Sequence, residues 1–175
     1  MNNTVTIALS KTKLIKNTIV SLVFLVAGVL FVARPFWFIK SNDTLIITIV
    51  GYIAIVFAGL LLIFYVKKLT DKTPGLVIDD EGILDNSSAI AAGKIRWSDI
   101  KRINAEMVSG QQFIMVEVKN PQGYIQAQKN PLKKNLMSLN YKLYKTPLYI
   151  TSVGLNTTFE NLFSIIENGF QNYKR

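Results

Sequence analysis

Three adjacent acids, Asp79, Asp80 and Glu81, run into Gly82, and this trio is the nearest the chain comes to a metal site. A hard cation such as calcium takes roughly six to eight oxygen ligands, and no further acids are placed to complete a shell. The trio therefore reads as the solvated tip of a hairpin. The chain has neither cysteine nor histidine, which removes thiol nucleophiles, disulfides, imidazole bases and Cys/His zinc sites together. Acid–base work would fall to Asp, Glu, Lys or Tyr, and no pair of these has a spacing that implies a site. A Ser–Lys dyad stays open, because both residue types are numerous and their proximity in space is not written in chain order. With no phosphate-binding loop or metal signature either, an enzyme is the weakest functional class and no cofactor is expected.

The remaining chemistry-bearing residues are cations. In Lys94 to Ile103, KIRWSDIKRI, one tryptophan and three isoleucines stand among four cations. Ile95 and Trp97 alternate as in a strand, whereas Ile100 and Ile103 are three apart, so the period changes at Ser98-Asp99. Those two side chains can hold a local turn through hydrogen bonds to the backbone. The apolar residues then point inward, leaving Lys94, Arg96, Lys101 and Arg102 outside. The 103 residues from Thr73 onward carry 12 Lys/Arg against 9 Asp/Glu. That near balance argues against a nucleic-acid binder, whose domain is usually strongly basic.

A sharper basic segment lies further on. Between Glu117 and Glu160 there is no acidic residue, while Lys119, Lys129, Lys133, Lys134, Lys142 and Lys145 all fall there. Asn130 can cap a helix that has Pro131 at its first position, and Leu132, Leu136, Leu139 and Leu143 recur at helical spacing, widened by Met137, Tyr141 and Tyr144. The segment predicts a short basic amphipathic helix. Two placements are open: on an anionic membrane surface, or packed on the rest of its domain with the lysines in water. Each lysine near an anionic leaflet contributes about 1 kcal/mol, so Lys133, Lys134, Lys142 and Lys145, with Lys67 and Lys68, are the candidate contacts for anionic lipid head groups or a partner.

The elements that must position these groups begin with two apolar runs, Thr18 to Ala33 and Leu45 to Val66, which contain no Asp, Glu, Lys or Arg. Extended back to Leu14, the first approaches the roughly 20 residues that cross a bilayer core. Two transmembrane helices over about 14–33 and 45–66 are expected, forming a hairpin within an N-terminal region 1–72. A cleaved signal peptide is the competing reading of the first run, but a signal's apolar region is shorter and here a second span follows at once. Phe36, Trp37 and Phe38 in the connection suit the lipid–water boundary. Lys11, Lys13 and Lys16 precede the first span and Lys67, Lys68 and Lys72 follow the second, against only Arg34 and Lys40 between them. The positive-inside rule then puts both termini in the cytoplasm. Neither span carries an ionisable residue of the kind that marks a transport pathway. Small residues, Ser21 and Gly28 in the first span and Gly51, Ala54, Ala58 and Gly59 in the second, allow close packing within the hairpin or between two copies of it.

After Thr73-Pro74-Gly75 the pattern turns β-like, with strands expected at Leu76–Ile78, Ile83–Leu84, Ala89–Trp97, Arg102–Val108, Gln112–Lys119, Tyr124–Gln128 and Pro147–Val153. In Gln112–Lys119 one face, Ile114, Val116 and Val118, is apolar and the other mixed, as in a small barrel or bent sheet. A last helix is signalled by Thr157 and Glu160 at capping-box spacing and by a stripe of Phe159, Leu162, Phe163, Ile166, Phe170 and Tyr173, which needs an apolar surface to cover.

Seven short β segments, the WSDI turn at 97–100, the Thr146-Pro-Leu-Tyr-Ile150 strand and a C-terminal amphipathic helix resemble the bacterial pleckstrin-homology-like domains. With the two-helix hairpin in front, nearly the whole chain is similar to YcxB-like membrane proteins of that group. The resemblance implies an α+β membrane protein of the bacterial cytoplasmic (inner) membrane: a transmembrane hairpin, then a cytoplasmic PH-like barrel or bent sheet over 73–175 capped by a C-terminal helix. It implies structural roles for Trp97 and Asp99 at a strand-to-turn junction, with Ser98 and Ile100 in the same turn and core. The segment from Asn130 to Lys145 exceeds the simplest version of that fold. The best-supported function is a non-enzymatic, membrane-anchored interaction module that raises a partner's effective concentration at the membrane. An immunity protein against a secreted toxin is the alternative suited to this size and topology.

Overall fold

The computed structural model describes residues 4–40 and 43–175. The chain is α+β and divides into two compact units, Lys11–Lys72 and a second that joins the chain up to Ser10 to Thr73–Arg175.

The first unit is a helical hairpin. Helix α1 (Lys11–Ala33) has 23 residues and α2 (Leu45–Thr70) has 26. At 1.5 Å per residue they are about 35 and 39 Å long, and both are long and apolar enough to cross a membrane. A 3-10 turn, Pro35–Trp37, follows α1; Ser41 and Asn42 of the expected connection lie outside the described residues. Ser21, Gly28, Gly51 and Ala58 are buried in the hairpin, while large apolar side chains such as Val23, Phe24, Ile53 and Phe57 point outward. A Cβ on Gly51 would sit 2.8 Å from Val32 Cγ2 and 2.9 Å from the Gly28 carbonyl oxygen. The two glycines thus let the backbones meet, which is how apolar helices associate where hydrophobicity supplies no driving force. Gly59 has open space around it and takes no part in this seam.

The second unit holds two antiparallel sheets. Strands β1 (Val5–Ile7), β2 (Leu76–Ile78), β3 (Gly82–Asp85) and β4 (Gly93–Arg96) pair in that order. The other sheet is β5 (Ile100–Val108), β6 (Gln111–Val118) and β7 (Leu148–Ile150). A 3-10 turn, Trp97–Asp99, carries the chain from one sheet to the other. The two-residue turn between β5 and β6 puts Ser109 and Gly110 at φ of 50° and 78°, the left-handed geometry that matches strand twist in tight hairpins. Helices α3 (Pro121–Gln126) and α4 (Pro131–Tyr144) lie between β6 and β7, and α5 (Phe159–Lys174) ends the chain.

One core joins these elements. Leu76, Ile83, Ile95, Trp97, Ile114, Val116, Leu148 and Ile150 from the sheets meet Leu162, Ile166 and Phe170 of α5.

Four expectations from the sequence are corrected. The strands form two open sheets rather than a closed barrel, with the ladder interrupted at Trp97–Asp99. The N-terminal tail does not stop at the hairpin: β1 pairs with β2 in the register Val5 with Ile78 and Ile7 with Leu76, so the folded unit begins before residue 73. The predicted strand Tyr124–Gln128 is occupied instead by α3, because Pro121 starts a helix that Asn120 caps by accepting the Gly123 N–H at 3.0 Å. The cap of α5 is Thr158, whose hydroxyl accepts the Asn161 N–H, and not Thr157.

Candidate functional site

The turn at Trp97–Ile100 is tied down on every side. Trp97 is 1% exposed, its ring N–H donates to the Asp79 carbonyl at 2.9 Å, and its backbone N–H donates to Glu81 at 3.0 Å. A Cβ at position 169 would meet the Trp97 ring at 2.9 Å, so Gly169 is what lets α5 lie against the indole. Phe170 packs beside it at a centroid distance of 6.1 Å. Ile100 is buried and Ser98 exposed. Asp99 accepts a hydrogen bond from the Tyr124 hydroxyl at 2.9 Å, and its carbonyl accepts the Lys119 N–H at 2.8 Å. Partial burial, then the Asp99 hydrogen bond, push the Tyr124 phenol up to about 12. These residues make the junction between the two sheets.

The acid trio is part of the same scaffold. One carboxylate oxygen of Asp79 accepts the N–H groups of Glu81 and Gly82, each at 2.9 Å, a side-chain turn of the kind Asp favours. Glu81, in the turn before β3, pairs with Lys94 of β4. Among the described residues no group of three or more acidic side chains is arranged to hold a metal ion. Asp79 and Asp80 do line a cleft of about 440 Å³ with Asn168, Asn172 and Tyr173 of α5.

The basic segment is organised differently. Asn130 caps α4 by accepting the N–H groups of Leu132 at 2.9 Å and Lys133 at 3.2 Å, with Pro131 at the first helical position. Met137 is completely buried in the core, with Tyr141 packed against it. At 3.6 residues per turn, Leu132, Leu136, Leu139 and Leu143 fall within about 60° of arc on a face turned well away from Met137. They are 58%, 38%, 50% and 61% exposed, values that leave the leucine stripe uncovered. Helix α4 thus packs on its domain through Met137 and Tyr141, with the leucine stripe outside that contact.

The candidate lysines are not equivalent. Lys134, Lys142 and Lys145 are exposed, and Lys133 is half-buried. Burial lowers the Lys133 ammonium's affinity for its proton, offset in part by the Asp85 carboxylate. Lys145 ends the helix in a left-handed conformation at φ 61°. In the hairpin unit Lys67 is exposed, whereas Lys68 is buried and bonded to Asp71 at 3.0 Å, which leaves its ammonium little to offer a ligand.

Beside the C-terminal end of α4 is a second hollow of about 330 Å³, bounded by Met107, Val108 and Met115 of the β5–β6 hairpin and by Leu143, Tyr144 and Lys145. Met107 is 69% exposed and lines this hollow together with Leu143, with Asn104, Glu106 and Glu117 among the polar groups beside them. The carboxylates at this hollow are Glu106 and Glu117, and Glu117 is held by Arg102 through two N–H bonds of 3.1 and 2.7 Å. Met107 carried no signal in the sequence, since a lone methionine at the end of a strand has no period to betray it.

Comparison of the chain with protein-family models, with curated proteins and with solved structures gives no match.

Proposed function

We propose that this chain is a membrane-anchored, non-enzymatic interaction module. The hairpin spans the bacterial cytoplasmic membrane, and the β-rich unit stands on its cytoplasmic face, where it raises the local concentration of a protein partner. The observation that carries the reading is the pairing of β1 with β2. Strand β1 precedes α1 and β2 follows α2, so both ends of the hairpin feed one sheet and lie on one side of any membrane that the helices cross. A hairpin with both ends on one side is the topology that the lysine excess at Lys11, Lys13, Lys16, Lys67, Lys68 and Lys72 favours for the cytoplasm. The outward apolar faces of α1 and α2 supply the lipid-facing surface.

The pleckstrin-homology-like reading belongs to the same proposal. Its support is the pair of antiparallel sheets, of four strands with β1 supplied by the N-terminal tail and of three strands, with a C-terminal helix whose apolar stripe enters their core. A fold of this kind hosts many functions, so the adaptor role rests on the anchor and not on the resemblance.

The test uses single cysteines, which this cysteine-free chain accepts without background. In intact cells with the outer membrane permeabilised, a membrane-impermeant maleimide should label Trp37→Cys and leave Gln171→Cys unlabelled until the inner membrane is lysed. Labelling of Gln171→Cys before lysis would overturn the cytoplasmic placement, and recovery of the chain in the soluble fraction would overturn the anchor.

A further inference from the structure

We infer that α4 and the tip of the β5–β6 hairpin form a bilayer-resting face. Leu132, Leu136, Leu139, Leu143 and Met107 enter the acyl boundary of an anionic leaflet. Lys133 and Lys142, which flank the leucines at about 90° on either side, meet its phosphates with Lys145 at the helix end, while Lys134 lies on the far side of the helix. The inference deepens the anchor reading and rests on it.

Three observations select this occupant. The first is direction: α4 buries Met137 and turns its four leucines outward, so the helix is amphipathic toward something outside the unit. An interfacial helix has this character, with an apolar face and lysines around it. The second is charge. Helix α4 contains no acidic residue; at the adjoining hollow Glu117 is paired with Arg102, and the exposed Glu106 also lines it, a single carboxylate against the lysines of α4. Two copies meeting through this face would bring lysines against lysines, a costly juxtaposition, whereas an anionic leaflet complements them. The third is reach. Between α2 and β2 the chain has only Asp71 to Gly75, which extends to about 16 Å at 3.3 Å per residue, and β1 is followed within three residues by α1. A unit held so closely by two strands of chain meets the bilayer at high effective concentration, so modest affinity suffices.

The decisive experiment uses the full chain in lipid nanodiscs, with an environment-sensitive fluorophore on single cysteines at Leu139, Met107, Gln171 or Val23 and nitroxide-bearing lipids as quencher. Discs are made of phosphatidylcholine alone or with phosphatidylglycerol. The expected result is quenching at positions 23, 139 and 107 in the anionic discs, none at 171, and loss of quenching at 139 and 107 in the neutral discs. The combined change of Lys133, Lys134, Lys142 and Lys145 to Gln should abolish quenching at 139 while leaving that at 23. The neutral-lipid comparison carries the same information without any substitution.

Quenching at 23 with a probe at 139 as exposed to water as the one at 171 would overturn the docking face and leave the anchor standing. Absence of quenching at 23 would overturn both. Equal quenching at 139 in neutral and anionic discs would overturn the role of the lysines. A blue-shifted probe at 139 that lipid nitroxides do not reach would show a protein, such as a second copy, on this face instead.

Discussion

Helices α4 and α5 belong to one folded unit, are of similar length and are both amphipathic, yet they put their apolar faces to opposite uses. Phe159, Leu162, Ile166 and Phe170 of α5 are buried in the core. In α4 only Met137 is buried, and the leucines stand in the open. Their charges differ in step. Glu160, Glu167 and Lys174 give α5 a mixed solvent face, while α4 carries lysines alone. An apolar stripe shows that a helix has a surface to cover, and the charges beside it indicate what covers it: mixed signs suit water, cations alone suit an anionic surface.

Truncating single leucines should expose the contrast most strongly. Leu162→Ala removes a fully buried side chain and should cost about 2–5 kcal/mol. Leu139→Ala, on the open face, should change the stability of the detergent-solubilised chain by no more than about 0.5 kcal/mol. Met137→Ala, two positions away on the same helix, should behave like Leu162→Ala. Urea titration followed by the emission of buried Trp97, in a Trp37→Phe background that leaves it the sole tryptophan, measures all three; a large loss from Leu139→Ala would place the leucines in the core. Gly169→Ala sharpens the other side. The new methyl would press on the Trp97 ring at 2.9 Å, and the same titration should show a loss of about 1–3 kcal/mol.

The caps give a smaller comparison. Asn130 accepts two backbone N–H groups and Thr158 one at 3.3 Å. Asn130→Ala should cost about 1 kcal/mol and Thr158→Ala no more than this; the reverse order in thermal melts would contradict the geometry. A further effect, visible only at high pH, is electrostatic and lies at Tyr124. Its folded-state value of about 12 lies above the ordinary 10.0, so the neutral phenol is favoured in the folded state. That contribution is whole below about pH 10 and is lost as pH rises through about 12. Ultraviolet titration should show a late-ionising tyrosine that Tyr124→Phe removes, along with the corresponding pH dependence of unfolding. A titration unchanged by the substitution would break the Tyr124–Asp99 link.

Much of this architecture was legible in the chain because it rests on strong local signals. The two apolar runs, the Asn130-Pro131 start of α4 and the stripe of α5 each repeat one message over several turns. The strand β1 was not, since Val5-Thr-Ile7 is too short to show a period and its partner lies some seventy residues on, at Leu76–Ile78. The segment Tyr124–Gln128 misled because Tyr, Ile and Gln alternate as in a strand, while Asn120 and Pro121 decide the outcome a turn earlier. The outward rotation of α4 was invisible for a different reason. Met137, Tyr141 and Tyr144 widen the apolar arc beyond the leucines, so the sequence defines a broad face, and only packing selects which part of it goes inside.

Photoactivatable acyl chains would test the central claim most directly. The unaltered full chain is reconstituted into anionic liposomes containing such a lipid, irradiated, and its adducts mapped by mass spectrometry. The account predicts adducts in α1, in α2 and at Leu132 to Leu143, with none in α5. Adducts confined to the hairpin would show that the leucine face of α4 does not rest on the bilayer.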